Sequence, residues 1–169
     1  MKNLNNKNEI KITRLINAPR QMVWDAWVKP EQIMKWWGPK DFTCPIVKVD
    51  FRVGGKYLCC MRGRAQPDQP IIDFWSGGKY IEIDPLNKII CTDMFSNEKG
   101  ELVDPVEYGM SPDFPKENEV VVTFQEQEGK TKLTIAYILK SDEALKAMVD
   151  SQMEEGWGSS LDKLVESLG

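Results

Sequence analysis

The sequence predicts an α+β fold: one curved antiparallel sheet of six or seven strands, two small helices near its start, and a long C-terminal helix laid across the sheet. Three observations carry that expectation. Between residues 46 and 139 the apolar residues recur with a period of two, punctuated by short turn signals such as Gly54-Gly55, Asp84-Pro85-Leu86-Asn87 and Glu128-Gly129. Connections that short cannot carry parallel crossovers, so the strands form a meander. From Ser141 onward the period changes to three and four, and 169 residues suit one core rather than two.

Taken in order, residues 9–16 alternate, with Ile10, Ile12 and Arg14 set against Lys11, Thr13 and Leu15, as in a strand near a sheet edge. Ala18-Pro19 opens a helix, since proline is pre-set for a first turn, and Met22, Val23, Ala26 and Trp27 fall on one face of it. A second short helix after Pro30 carries Ile33, Met34, Trp36 and Trp37 until Gly38-Pro39 stops it. Strands are expected at 46–52, 56–62, 72–75, 79–84, 88–95, 119–126 and 130–139, the first two as a hairpin around Gly54-Gly55. Ser141 is a good N-cap, with Asp142 and Glu143 complementing the helix dipole. Leu145, Met148, Val149, Met153, Trp157, Leu161, Leu164, Val165 and Leu168 then line one face. The expectation is a single helix of roughly 27 residues, about 40 Å long at 1.5 Å per residue. Residues 1–8 read as a flexible polar tail and residues 9–169 as one domain. A straight rod cannot follow a concave sheet everywhere, so a cavity between the two is expected.

Composition removes several function classes. Twenty-two Lys and Arg against 26 Asp and Glu give a formal charge of −4, with no basic stripe to neutralise nucleic-acid phosphates. Histidine is absent, so neither a Ser-His-Asp nor a Cys-His apparatus can exist. Cys44, Cys59, Cys60 and Cys91 show no C-x-x-C spacing and read as free thiols; no metal or cofactor is expected. No apolar stretch reaches the roughly 18 residues of a membrane span, and the polar start has no leader-like core, so a cytoplasmic location without membrane partners is expected. Oligomeric state has no signature in the sequence.

Several stretches match a known family in order and spacing over about residues 9–168. They include Ala18-Pro19 through Trp24, Trp36-Trp37-Gly38-Pro39, Val53-Gly54-Gly55-Lys56-Tyr57, Tyr80 through Pro85, Gly129 through Thr134, and Gly156-Trp157-Gly158-Ser159-Ser160-Leu161-Asp162-Lys163-Leu164. On these the chain resembles the activator of heat-shock protein 90 ATPase homologue family, within the START-like, polyketide cyclase (SRPBCC) superfamily. The resemblance implies a helix-grip fold with an internal ligand cavity. It also implies two other classes of function: a co-chaperone-like interaction protein with a heat-shock protein 90 partner, and a cofactor-free cyclase or hydrolase-like enzyme.

The residues themselves favour binding of a small, largely apolar or aromatic molecule. Of six tryptophans, Trp24 and Trp27 read as core, while Trp37, Trp75 and Trp157 are expected to line the cavity. In strand 56–62 Tyr57, Cys59 and Met61 share the face read as inward. Met94 and Met153 suit an adaptable apolar wall. Tyr80 or Ile81 faces inward in strand 79–84, and an inward Asp73 or Glu82 would mark a functional carboxylate through its raised pKa. Gly156 and Gly158 weaken the long helix by roughly 1 kcal/mol each, which either a close backbone approach or ligand space beside Trp157 would explain. Residues 98–117 hold six acidic and two basic residues with Pro105, Pro112 and Pro115, and are read as a lid with Tyr108 and Met110 as ligand contacts.

Overall fold

In the computed structural model, which describes residues 8–169, the chain forms one seven-stranded antiparallel sheet in the order β1-β7-β6-β5-β4-β3-β2. The strands are β1 (Glu9–Ile16), β2 (Thr43–Val49), β3 (Lys56–Gly63), β4 (Ile72–Asp84), β5 (Lys88–Ser96), β6 (Asn118–Gln127) and β7 (Lys130–Ile138). The helices are α1 (Arg20–Val28), α2 (Pro30–Ile33), α3 (Asp142–Asp150) and α4 (Met153–Ser167). This is the expected α+β helix-grip arrangement, with β1 and β2 at the two edges. The tail expected over residues 1–8 lies, but for Asn8, outside the described residues.

The strand registers define the concave face. Met61, Cys59 and Tyr57 of β3 oppose Phe74, Ser76 and Gly78 of β4, and Ser76 and Tyr80 oppose Phe95 and Cys91 of β5. Across the next pair Asp93 opposes Asn118 and Cys91 opposes Val120, and Val120 in turn opposes Tyr137 of β7. Side chains alternate along each strand, so all of these point to one side.

Two expectations are corrected. Residues 72–75 and 79–84 are not separate strands but the continuous β4, 13 residues long. Ser76-Gly77-Gly78 interrupts the apolar pattern in sequence, yet the glycines serve close packing: a Cβ on Gly77 would lie 2.7 Å from the Tyr57 carbonyl oxygen, and one on Gly78 2.0 Å from that of Thr92. The single C-terminal rod is also broken. α3 ends at Asp150, Gln152 takes a left-handed conformation at φ 60°, and α4 restarts at Met153. Ser141 does cap α3, accepting a hydrogen bond from the Ala144 amide at 3.1 Å. α4 is therefore 15 residues, about 22 Å long.

The helices grip the sheet through both apolar and polar contacts. Leu161 and Leu164 of α4 are fully buried, each contributing about 2 kcal/mol. Arg14 of β1 pairs with Asp162 at 2.8 Å and donates to the Gly158 carbonyl at 3.2 Å, while Lys163 donates to the carbonyls of Phe42 and Pro39 at 2.9 and 3.3 Å. Trp36, 0% exposed, anchors the turn after α2 by donating its indole N–H to the Ala26 carbonyl at 2.9 Å. It meets Trp27, Trp37 and Trp157 with ring centroids 4.9 to 6.4 Å apart, and Trp27 stacks on Trp157 at 15°.

Candidate functional site

The concave face is filled at one end and hollow at the other. At the α1 end Trp24 packs edge-on against Phe51 and Phe124, Phe51 against Tyr80, and Tyr80 against Tyr57. Tyr57 also donates its hydroxyl to the Thr92 carbonyl at 2.7 Å, across the position where Gly78 has no side chain. At the other end a cavity of about 320 Å³ opens between the sheet, α4, the segment after α2 and the segment that follows β5. That volume is at the small end of ligand sites, roughly 300–1,000 Å³.

Seven of the twelve sequence candidates border this cavity: Trp37, Met61, Met94, Tyr108, Met110, Met153 and Trp157. Tyr57, Cys59 and Tyr80 do not. They point to the concave side as expected, but Tyr57 and Tyr80 belong to the ring cluster at the α1 end, and Cys59, 1% exposed, is hydrogen-bonded with Cys44. Asp73 and Trp75 are on the opposite face of β4 from Phe74 and Ser76, by strand alternation. Asp73 forms a two-point ion pair with Arg62, at 2.7 and 3.1 Å, which lowers its pKa, the reverse of what a desolvated functional carboxylate would show. Glu82 likewise pairs at the surface, with Lys88 at 2.6 Å.

The acidic segment 98–117 forms a wall of the cavity. A bridge between Ser96 and Leu102 returns the chain, and a short 3-10 turn at Pro105–Tyr108 follows, its start capped by Asp104. Tyr108 is wedged between Phe74 and Phe95 at 5.4 and 5.3 Å, and its hydroxyl donates to the Ser96 carbonyl at 2.7 Å. Phe114, which also lines the cavity, packs tilted against Phe95 at 5.7 Å. The pinned tyrosine fixes how this segment sits over the sheet.

Gly156 and Gly158 have no backbone close to them. A Cβ added at either would meet nothing within 4 Å, and Gly156 borders the cavity. The close-packing explanation is therefore removed, and open space beside Trp157 is what the glycines leave.

The sequence reading missed the polar corner of the cavity. Asp93 projects from β5 between Cys91 and Phe95, and the Tyr137 hydroxyl donates to its Oδ2 at 3.2 Å. Trp157 of α4 donates its indole N–H to that same hydroxyl at 3.0 Å, so a chain of hydrogen bonds runs from helix to sheet to carboxylate. Burial pushes Asp93 up to about 6, with the Tyr137 hydrogen bond only partly opposing it. Ser76, 7% exposed, and Asn118, 6% exposed, also line the cavity. Ser76 Oγ and Asn118 Oδ1 have no hydrogen-bond partner among the described residues. The signal for Asp93 was present in the sequence, as one acid in the inward alternation Ile89, Cys91, Asp93, Phe95. Among the described residues no cluster suited to a metal ion occurs, and all four cysteines are free.

The profile of the family described as "Activator of Hsp90 ATPase homolog 1-like protein" matches residues 17–169. Among solved structures, a protein of Mycobacterium smegmatis superposes with a TM-score of 0.78 at 25% identity, over 99% of this chain and 93% of the other. One of Arthrobacter aurescens gives 0.77 at 25% identity, covering 99% and 89%. One of Staphylococcus epidermidis gives 0.71 at 26% identity, covering 95% and 89%. No curated protein matches the chain. Among the described residues no helix is long and apolar enough to cross a membrane.

Proposed function

We propose a ligand-binding function for this chain, which belongs to the family of activator of Hsp90 ATPase homologue 1-like proteins: it holds a small, largely apolar molecule between the sheet and α4. The observation that carries this reading is the undivided hollow itself. Phe42, Phe74, Phe95, Met61 and Met153 surround about 320 Å³ that the protein's own side chains leave open, beside Gly156, which weakens α4 for no packing gain. A void of that size lowers stability, so a guest that fills it stabilises the folded state by mass action.

The test uses N-phenyl-1-naphthylamine, a neutral fluorophore that brightens in apolar surroundings. Energy transfer from Trp37 and Trp157 to the probe, together with a rise in melting temperature, supports the reading. Gly156→Leu, which projects a side chain into the cavity without meeting another atom at its Cβ, should abolish both signals while the protein still melts cooperatively. Absence of both signals in the unmodified protein would defeat the proposal. A reaction at this site, were one found, would draw on Asp93, Tyr108 and Tyr137 as proton carriers, since Asp73 and Glu82 are surface ion pairs.

A further inference from the structure

The polar groups of the cavity are unevenly matched. Three oxygen-bearing side chains gather on neighbouring strands: Asp93 on β5, Asn118 directly opposite it on β6, and Ser76 on β4, opposite Phe95 and so diagonal to Asp93. Ser76 Oγ and Asn118 Oδ1 are buried without a partner among the described residues. The Tyr137 and Trp157 donors are already committed, Trp157 to Tyr137 and Tyr137 to Asp93. Among the described residues no lysine or arginine lines the cavity, and Asp93 is its single acidic side chain. An ionised carboxylate in such surroundings carries a desolvation cost that a cation beside it would offset, and the residues lining the cavity supply none. What the corner lacks is positive charge: the Ser76 hydroxyl and the Asn118 amide are dipoles with oxygens free to accept, and neither is a cation.

Deepening the ligand-binding reading on which it rests, we propose that the molecule bound here is an apolar or aromatic amine, its protonated nitrogen set against Asp93, Asn118 and Ser76. An ammonium group offers up to three N–H donors and no acceptor, which matches three acceptor groups. The carbon body lies among Phe74, Phe95, Tyr108 and Trp157, whose ring faces also favour a nearby cation. Fatty acids and other anions are disfavoured by the same geometry, because their head group would meet Asp93 with no cation to separate them.

The pH dependence belongs to Asp93. The other titratable groups facing it are Tyr57 and Cys59 of β3, Cys91 of β5 and Tyr137 of β7. All four are held neutral to high pH: the two tyrosines and Cys91 chiefly by burial, and Cys59 by its hydrogen bond to Cys44 together with burial. Amine affinity should therefore fall as pH drops through about 6, where Asp93 takes up its proton.

The experiment compares 4-phenylbutylamine, 4-phenylbutan-1-ol and 4-phenylbutyrate by calorimetry at pH 7.5, three molecules with one skeleton and three heads. Amine affinity at least tenfold above the alcohol, with the carboxylate weakest, is the expected order. In Asp93→Asn the ratio of amine to alcohol affinity should collapse to below threefold. Alcohol binding as tight as the amine, or carboxylate binding tightest, would overturn the amine inference and leave the cavity reading standing. Binding by none of the three would overturn both.

Discussion

Asp93→Asn should make the protein more stable, and only above a defined pH. The native carboxyl titrates at about 6 against an ordinary 3.8, so the folded state holds this proton more tightly than the unfolded chain does. At about 1.4 kcal/mol for each tenfold change in proton affinity, the difference amounts to about 3 kcal/mol. Below pH ~3.8 both states are protonated and the carboxyl costs nothing; between 3.8 and 6 stability is progressively lost; above 6 the full cost is present. Asparagine is nearly isosteric, its oxygen can accept the Tyr137 hydroxyl proton, and it carries no charge at any of these pH values. Urea unfolding of both proteins from pH 4 to pH 8 should give curves that coincide near pH 4. The variant should gain about 2–3 kcal/mol by pH 7.5, or about 5–10 °C in melting temperature for a chain of this length. A variant less stable at neutral pH, or a gain independent of pH, would refute the reasoning that Asp93 is a desolvated carboxylate retained at a cost in stability.

Other expectations concern the surrounding frame. Gly158→Ala should stabilise by about 1 kcal/mol in chemical denaturation, because the added methyl meets nothing and alanine favours the helix. Gly78→Ala should destabilise by about 3 kcal/mol or more by the same measurement, since its Cβ would sit 2.0 Å from the Thr92 carbonyl oxygen inside a paired strand. Tyr108→Phe should cost about 1 kcal/mol through loss of the hydrogen bond to Ser96, and should speed amide hydrogen exchange across residues 102–110.

The fold was largely legible because its signals are local. Two-residue alternation and short turns fix an antiparallel meander, and β1, β3 and β7 fall within a residue of their expected ends. The break in the C-terminal helix was not legible, because Ser151-Gln152-Met153 contains neither glycine nor proline and each residue tolerates a helix. Gln152 takes its left-handed conformation where the chain passes over the cavity, so the kink belongs to tertiary packing rather than to local preference. β4 was misread for the opposite reason. Its two glycines interrupt the local pattern but are required by neighbouring backbones that no local pattern reveals.

The site divides along the same line. Methionines and aromatics of the closing elements that border the cavity, such as Trp157, Met153 and Tyr108, were expected there from composition and spacing. Tyr57 and Tyr80 were placed on the correct face but within the ring cluster that Trp24 of α1 completes, and Cys59 is on that face but buried against Cys44, distinctions that depend on how the elements dock. Asp93 escaped because strand alternation says which residues share a face without saying which face is hollow.

The most direct test of a guest site between sheet and helix is a titration with 4-phenylbutan-1-ol followed through the indole N–H resonances of the tryptophans. Trp157 and Trp37 line the cavity, whereas Trp24 sits in the packed end and Trp75 on the far face of β4. The account predicts saturable shifts of the Trp157 and Trp37 signals while those of Trp24 and Trp75 stay in place. Shifts centred on Trp75, or no saturable shift at any indole, would contradict it.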